Sequence, residues 1–192
     1  KSDNPKLVVI EVTTFRKEEK YSDLRHPDKI EFTTTIEEDL ARRDFTVNAI
    51  ALEIPSSKSQ IPKLIDPFNG QEDLKKKLIR TVGEPAKRFN EDALRLMRAV
   101  RFASEFGFQI EEKTSTAIKK SAKLLGMIAK ERIRDEFTKI ILALGKGPYN
   151  GLLQLEELGL LEHVIPELRE GIGVAQNKHH IYTVWKHNLL AL

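Results

Sequence analysis

With 192 residues, 40% hydrophobic and 32% charged, the chain can bury one large core or two small ones. It is too apolar to be disordered. The absence of cysteine excludes disulfides and thiolate metal sites, and no apolar run approaches the ~20 residues of a helical membrane span. A cysteine-free sequence fits a reducing, cytoplasmic setting. The net charge of +3 is unevenly placed. Lys75–Arg101 holds nine Lys/Arg against three acids and Lys119–Lys146 eight against three, so the rest is net acidic. A positive middle suits a phosphate-rich partner, although solvated helix faces produce the same pattern.

In chain order, Leu7–Thr14 is short, apolar and β-branched and predicts a buried strand. Lys29–Thr33 alternates and predicts a second. Thr35 with Glu38 three residues later predicts a capping box opening a short helix to Arg43. Phe45–Ile54 is a core element, its second half a strand, and 55–62 is a surface loop by composition. Beyond the turn Asp66-Pro67-Phe68-Asn69-Gly70, helical spacing recurs over Gln71–Lys77, Asn90–Phe106, Glu111–Leu124, Lys130–Leu144 and Tyr149–Leu158. Gly107, Gly126, Gly145, Gly147 and Gly159 fall where helix ends are expected. The reading is an α/β front followed by an all-α neck and body, with the junction near 85–105 inside one continuous helix.

Two constellations carry chemistry. The first is Arg42-Arg43-Asp44, with Asn48 close behind. Paired guanidinium forks hold phosphate and the carboxylate can take a ribose hydroxyl, but such a triplet also forms plain surface ion pairs. The second is Glu91-Asp92-Ala-Leu-Arg95-Leu-Met-Arg98-Ala-Val-Arg101. Steps of three along a helix put Asp92, Arg95, Arg98 and Arg101 on one slowly winding polar stripe, with apolar residues between. An acid at a helix start with i,i+3 ion pairs explains Asp92 and Arg95, but leaves the two further arginines unexplained.

Taken in order, Glu-Val-Thr-Thr-Phe-Arg (11–16), Arg-Arg-Asp-Phe-Thr-Val-Asn-Ala (42–49), Ile-Asp-Pro-Phe-Asn-Gly (65–70) and Glu-Asp-Ala-Leu-Arg (91–95) resemble the class II tRNA nucleotidyltransferases. That family includes CCA-adding enzymes, separate CC- and A-adding enzymes and bacterial poly(A) polymerases, and the resemblance runs over about residues 7–165. It implies residues 1–85 as the C-terminal part of a nucleotidyltransferase head with an incomplete mixed sheet. It implies 86–165 as a helical nucleotide-selecting neck and RNA-binding region, and 166–192 as the start of an HD-like domain. Arg43 then resembles the triphosphate-binding arginine, with Asp44 and Asn48 near the sugar. Asp92 and Arg95 resemble the base-reading pair, and Arg98 and Arg101 further nucleotide contacts. Glu11 resembles the third carboxylate of a Mg²⁺ site, and His187 the first histidine of an HD metal site that closes only if such a domain follows.

Elementary chemistry supports the base-reading role independently. Cytosine and adenine present an amino donor beside a ring-nitrogen acceptor, whereas guanine and uracil present the reverse. A fixed carboxylate beside a fixed guanidinium favours C and A, each mispairing costing about 1–3 kcal/mol per unsatisfied buried group. No nucleic-acid template is required.

The Gly-Gly phosphate loop and Asp-x-Asp pair that precede the Glu11-type strand in this family are not found. The expectation is therefore an N-terminally truncated chain that needs upstream aspartates for Mg²⁺, selects nucleotides poorly and catalyses nothing. The implied reaction is transfer of CMP and AMP from CTP and ATP to the 3′ end of tRNA. Poly(A), A-only and CC-only addition are the alternatives within the family; a non-catalytic RNA-binding module is the alternative outside it. Trp185 and Tyr182 are expected in the core.

Overall fold

The structure, a computed structural model, describes residues 12–19, 21, 26–55, 61–177 and 180–192. Leu7–Ile10 and Glu11 lie outside these, so the expected first strand and the expected third carboxylate are not described.

The front part is built from short paired strands. β1 (Arg16–Glu19) runs antiparallel to β2 (Lys29–Phe32), and β3 (Ala51–Glu53) antiparallel to β4 (Lys63–Ile65). Between them lie α1 (Ile36–Ala41) and a 3-10 turn at Thr46–Asn48. The expected mixed sheet is thus present as separate two-stranded pairs among the described residues. The capping box at Thr35 does not form. Thr35 is the extended N-cap, but the Thr33 hydroxyl bonds Glu38 and accepts the Thr35 N–H at 3.1 Å, moving the cap two residues upstream.

From Gly70 onward the chain is helical: α2 (Gly70–Lys76), α3 (Pro85–Glu91), α4 (Leu94–Phe106), α5 (Glu112–Ser121), α6 (Lys130–Ile141), α7 (Gly147–Glu157), α8 (Leu161–Val164) and α9 (Val184–Leu190). The capping chemistry is local. Asp66 accepts the Gly70 and Gln71 N–H groups at 2.7 and 2.9 Å, and the Glu111 side chain accepts that of Thr114 at 2.8 Å. Gly107 ends α4 with φ 65°, a conformation that costs glycine nothing. Gly159 follows α7 in the same way. Gly126 instead falls within a 3-10 turn (Ala122–Met127), and Gly147 is the first residue of α7.

The helix expected over 90–106 is two helices. Asp92 is extended (φ −145°, ψ 106°), α3 stops before it, and α4 starts after it. The apolar spacing runs straight through Phe89, Ala93, Leu96 and Met97, which is why periodicity alone shows one helix. Asp92 breaks it because its Oδ1 accepts the Leu94 N–H at 3.0 Å, capping a new helix.

α4 is the central element. It packs on α6 and α7, and Leu96, Met97, Ala99 and Val100 are fully buried, each large apolar side chain contributing about 1.5–3 kcal/mol. Phe45 and Ile79 belong to this same core. Ile79 lies in β5 (Leu78–Ile79), which pairs in parallel with β6 (Gln109–Ile110). One face of the 77–82 strip thus bonds 109–111 (Gln109 and Glu111 N–H to Lys77 and Ile79 O, both 2.9 Å). The other bonds the Asp44–Thr46 turn, with Thr46 N–H to Arg80 O at 2.9 Å and Val82 N–H to Asp44 O at 3.0 Å. At the C-terminal end, Trp185 packs against the core as expected, but Tyr182 does not. It is exposed, with the Lys186 ammonium 4.8 Å from its ring centroid.

Candidate nucleotide-binding cleft

The end of α1, the 3-10 turn after it and the first turns of α4 and α6 enclose a cleft of about 560 Å³. Arg42, Arg43, Asp44, Asn48, Asp92, Arg95, Arg98 and Arg132 supply its polar lining, with Leu94 and Phe102 its apolar patch. Five guanidinium groups against two carboxylates give the lining an excess of positive charge. A second cleft of about 650 Å³, lined by Val12–Thr14, Arg16 and Phe32, shares Arg42 and Arg43 with it.

The two adjacent arginines have separate jobs. Arg42 is turned inward, its Nε and Nη2 donating to Asp39 Oδ1 at 3.0 and 2.7 Å and Nη1 to Glu18 at 3.2 Å. Arg43 gives one bond to Asp39 Oδ2 at 3.0 Å, and its side chain remains 43% exposed at the cleft. Arg43 therefore keeps more of its donors open to the cleft than Arg42 does. Burial alone would raise the Asp39 pKa. The Arg42 and Arg43 guanidinium groups and the Arg16 N–H outweigh it and hold the carboxyl below its ordinary value.

Asp44 is saturated. Its Oδ1 accepts the Phe45 N–H at 2.9 Å and Asn48 Nδ2 at 3.1 Å. Its Oδ2 takes Arg98 Nε at 2.7 Å and Nη2 at 2.6 Å. A carboxylate accepting four N–H groups has little capacity left for a ribose hydroxyl, so in this state its main effect is to aim Arg98.

Arg95 is nearly buried. Nη1 donates to Glu91 at 2.6 Å and to Arg88 O at 3.2 Å, and Nη2 to Arg42 O at 3.2 Å. Two of its five N–H groups remain for a ligand. Asp92 does not pair with Arg95, as an i,i+3 pair would; its partner is Arg132 of α6, Nη2 to Oδ2 at 2.9 Å. Asp92 and Arg95 nonetheless line the same cleft.

Arg101 is not among the lining residues. It sits with its guanidinium 4.0 Å over Phe102, paired with the buried Glu136 at 2.6 Å and with Glu105 at 3.2 Å. The stripe winds far enough over three helical steps to carry it away. His187 lies on α9, and no group of three or more His, Asp or Glu able to hold a metal occurs among the described residues.

Arg132 escaped sequence inspection, and Glu91 was seen only as an acid opening the helix, not as the partner of Arg95. One signal was available for α6: Glu136 stands three residues after Ile133 and four before Ile140, on the buried face of the helix. A charge there demands a partner, and Arg132, four residues earlier, shares that side.

Residues 1–80 match the family described as Poly A polymerase head domain, and residues 107–172 the one described as Probable RNA and SrmB-binding site of polymerase A. The chain belongs to the tRNA nucleotidyltransferase and poly(A) polymerase family. A CCA-adding enzyme of Lactobacillus helveticus is 51% identical over 140 residues, 73% of this chain and 33% of that protein. The crystal structure of the Bacillus stearothermophilus CCA-adding enzyme in complex with CTP superposes with a TM-score of 0.68 at 42% identity, over 80% of this chain and 34% of that one. The Thermotoga maritima CCA-adding enzyme complexed with tRNA superposes with a TM-score of 0.60 at 30% identity, over 74% and 38% of the two chains. The chain spans about a third of the length of the curated relatives it matches. The cleft of this nucleotidyltransferase-family chain lies across the two matched regions, with Arg42 to Asn48 in the first and Arg132 in the second.

Proposed function

We propose that this chain supplies the nucleotide-selecting part of a template-independent nucleotidyltransferase that transfers CMP and AMP from CTP and ATP to the 3′ end of tRNA in the cytoplasm. One observation carries the reading. A carboxylate and a guanidinium with free hydrogen-bonding capacity, Asp92 and Arg95, share a single cationic cleft with the neighbouring Arg98 and with Arg43 and Asn48, about fifty residues earlier in sequence.

In this reading Asp92 accepts from the amino group of cytosine or adenine and Arg95 donates to the adjacent ring nitrogen. Arg43 and Arg98 hold the triphosphate and Asn48 faces the sugar. Arg101 acts behind the cleft by fixing α4 to α6 through Glu136 rather than by touching nucleotide. Residues 1–85 act as head, 86–165 as selecting neck and RNA-binding region, and 166–192 as the opening of a further helical domain in which His187 could serve as a ligand. Mg²⁺ would activate the attacking 3′ hydroxyl and the α-phosphate. The described residues hold no carboxylate cluster suited to it, so their part is to bind, orient and discriminate.

The test uses an enzyme of the relatives' length carrying this sequence, with Mg²⁺ and a tRNA ending at its discriminator base. Extension with C and A but not G or U is expected, and Asp92→Ala or Arg95→Ala should abolish the choice. Variants that retained normal C and A selection would refute the base-reading assignment.

A further inference from the structure

Asp92 occupies an awkward place for a residue that must be held still. It lies in the non-helical link between α3 and α4, so no helical neighbours restrict its side chain. The Leu94 N–H fixes Oδ1 at 3.0 Å, but a carboxylate anchored through one oxygen still swings about that bond. Oδ2 is fixed by Arg132, whose Nη2 donates at 2.9 Å while Nη1 reaches Oδ1 at 3.4 Å. The two side chains are 18% and 24% exposed, so the pair is partly shielded from water.

Arg132 is itself aimed. It sits in the first turn of α6, and Glu136, one turn further along the same face, is buried against Arg101 at 2.6 Å. That lower ion pair sets the rotation of α6 against α4 and leaves Arg132 pointing into the mouth of the cleft.

We infer that Arg132 is a specificity-determining positioning residue: it fixes the Asp92 carboxylate so that one acceptor site remains, facing the nucleobase. The inference rests on the base-reading role proposed for Asp92. The accounting is simple. A carboxylate offers about four lone-pair sites; the Leu94 N–H and two Arg132 N–H groups fill three. The one left suits a single exocyclic amino group at a defined angle. Released from Arg132, the carboxylate can rotate and accept equally from the ring N–H of uracil or guanine, which lies one atom further along the base edge.

The test measures dissociation constants of an enzyme of the relatives' length carrying this sequence for CTP, ATP, UTP and GTP by calorimetric titration, in the unaltered protein and in R132M, R132K, D92N and the D92N/R132M double variant. In R132M the preference for CTP over UTP, and for ATP over GTP, should fall by about tenfold, the worth of one well-placed charged hydrogen bond. R132K, which keeps the charge but not the fork, should lie between. In the D92N background R132M should change the preference no further, because Arg132 acts through Asp92. A purely structural role would lower the melting temperature and leave the ratios intact. An R132M protein with unchanged ratios, or an R132M effect of equal size in the D92N background, overturns the inference while the base-reading role stands. Equal binding of all four nucleotides by the unaltered protein overturns both.

Discussion

Asp44 grips Arg98 across the floor of the cleft, through Nε at 2.7 Å and Nη2 at 2.6 Å, although the two lie on different structural layers. This fork-to-carboxylate bond sets where the third Arg98 nitrogen points. Asp44→Ala should therefore weaken binding of all four triphosphates alike, by about tenfold, without altering the preference among bases. Calorimetric titration with CTP and UTP checks it: a changed CTP/UTP ratio would show Asp44 to read the base.

Glu91 is the partly buried counter-ion of Arg95 and Arg88. Burial pulls the Arg88 guanidinium below its usual pKa, and Glu91 works against that pull. Glu91→Ala leaves two arginines packed together without an acid, and should cost roughly 2–4 kcal/mol of stability. Urea denaturation measures this; a loss under ~0.5 kcal/mol would mean that water already neutralises the site.

Asp39 has a folded-state pKa below its unfolded one. Its contribution to stability is therefore complete above the unfolded value, near pH ~4, and disappears as pH falls through the folded value. Asp39→Asn should lower stability at neutral pH and flatten its decline below pH ~4. Melting temperatures at neutral and acid pH for both proteins decide the matter, a parallel decline counting against the linkage.

Gly151 allows α7 to close on α4 and α6. A Cβ there would meet the Ile140 side chain and stand 2.6 Å from Ser104 Oγ. Gly151→Ala should destabilise the helical core by about 1–3 kcal/mol through overpacking, with nucleotide preference unchanged. Thermal melts alongside nucleotide titrations separate the two effects.

α2, α4, α5, α6 and α7 were legible because their apolar residues recur at helical spacing, unlike α3, α8 and α9, and the cleft was legible wherever its residues cluster locally, as at Arg42–Asn48. Three features were not. The break at Asp92 depends on a side chain competing for backbone N–H groups while the hydrophobic pattern continues unbroken across it. The Asp92–Arg132 pair joins residues forty apart, a distance over which spacing carries no information. β5 and β6 are two residues each, too short for alternation to register, and they owe their form to tertiary contact.

That short parallel pair reaches further than its size suggests. Residues 77–82 act as a splint, bound along one edge to the turn carrying Asp44 and along the other to the segment just beyond α4. Drawing the Asp44 turn away from the segment beyond α4 would mean breaking the main-chain bonds along one edge of this strip. The spacing of Asp44 and Arg98 is thus set by backbone, and side-chain rotation is the freedom that remains inside the cleft.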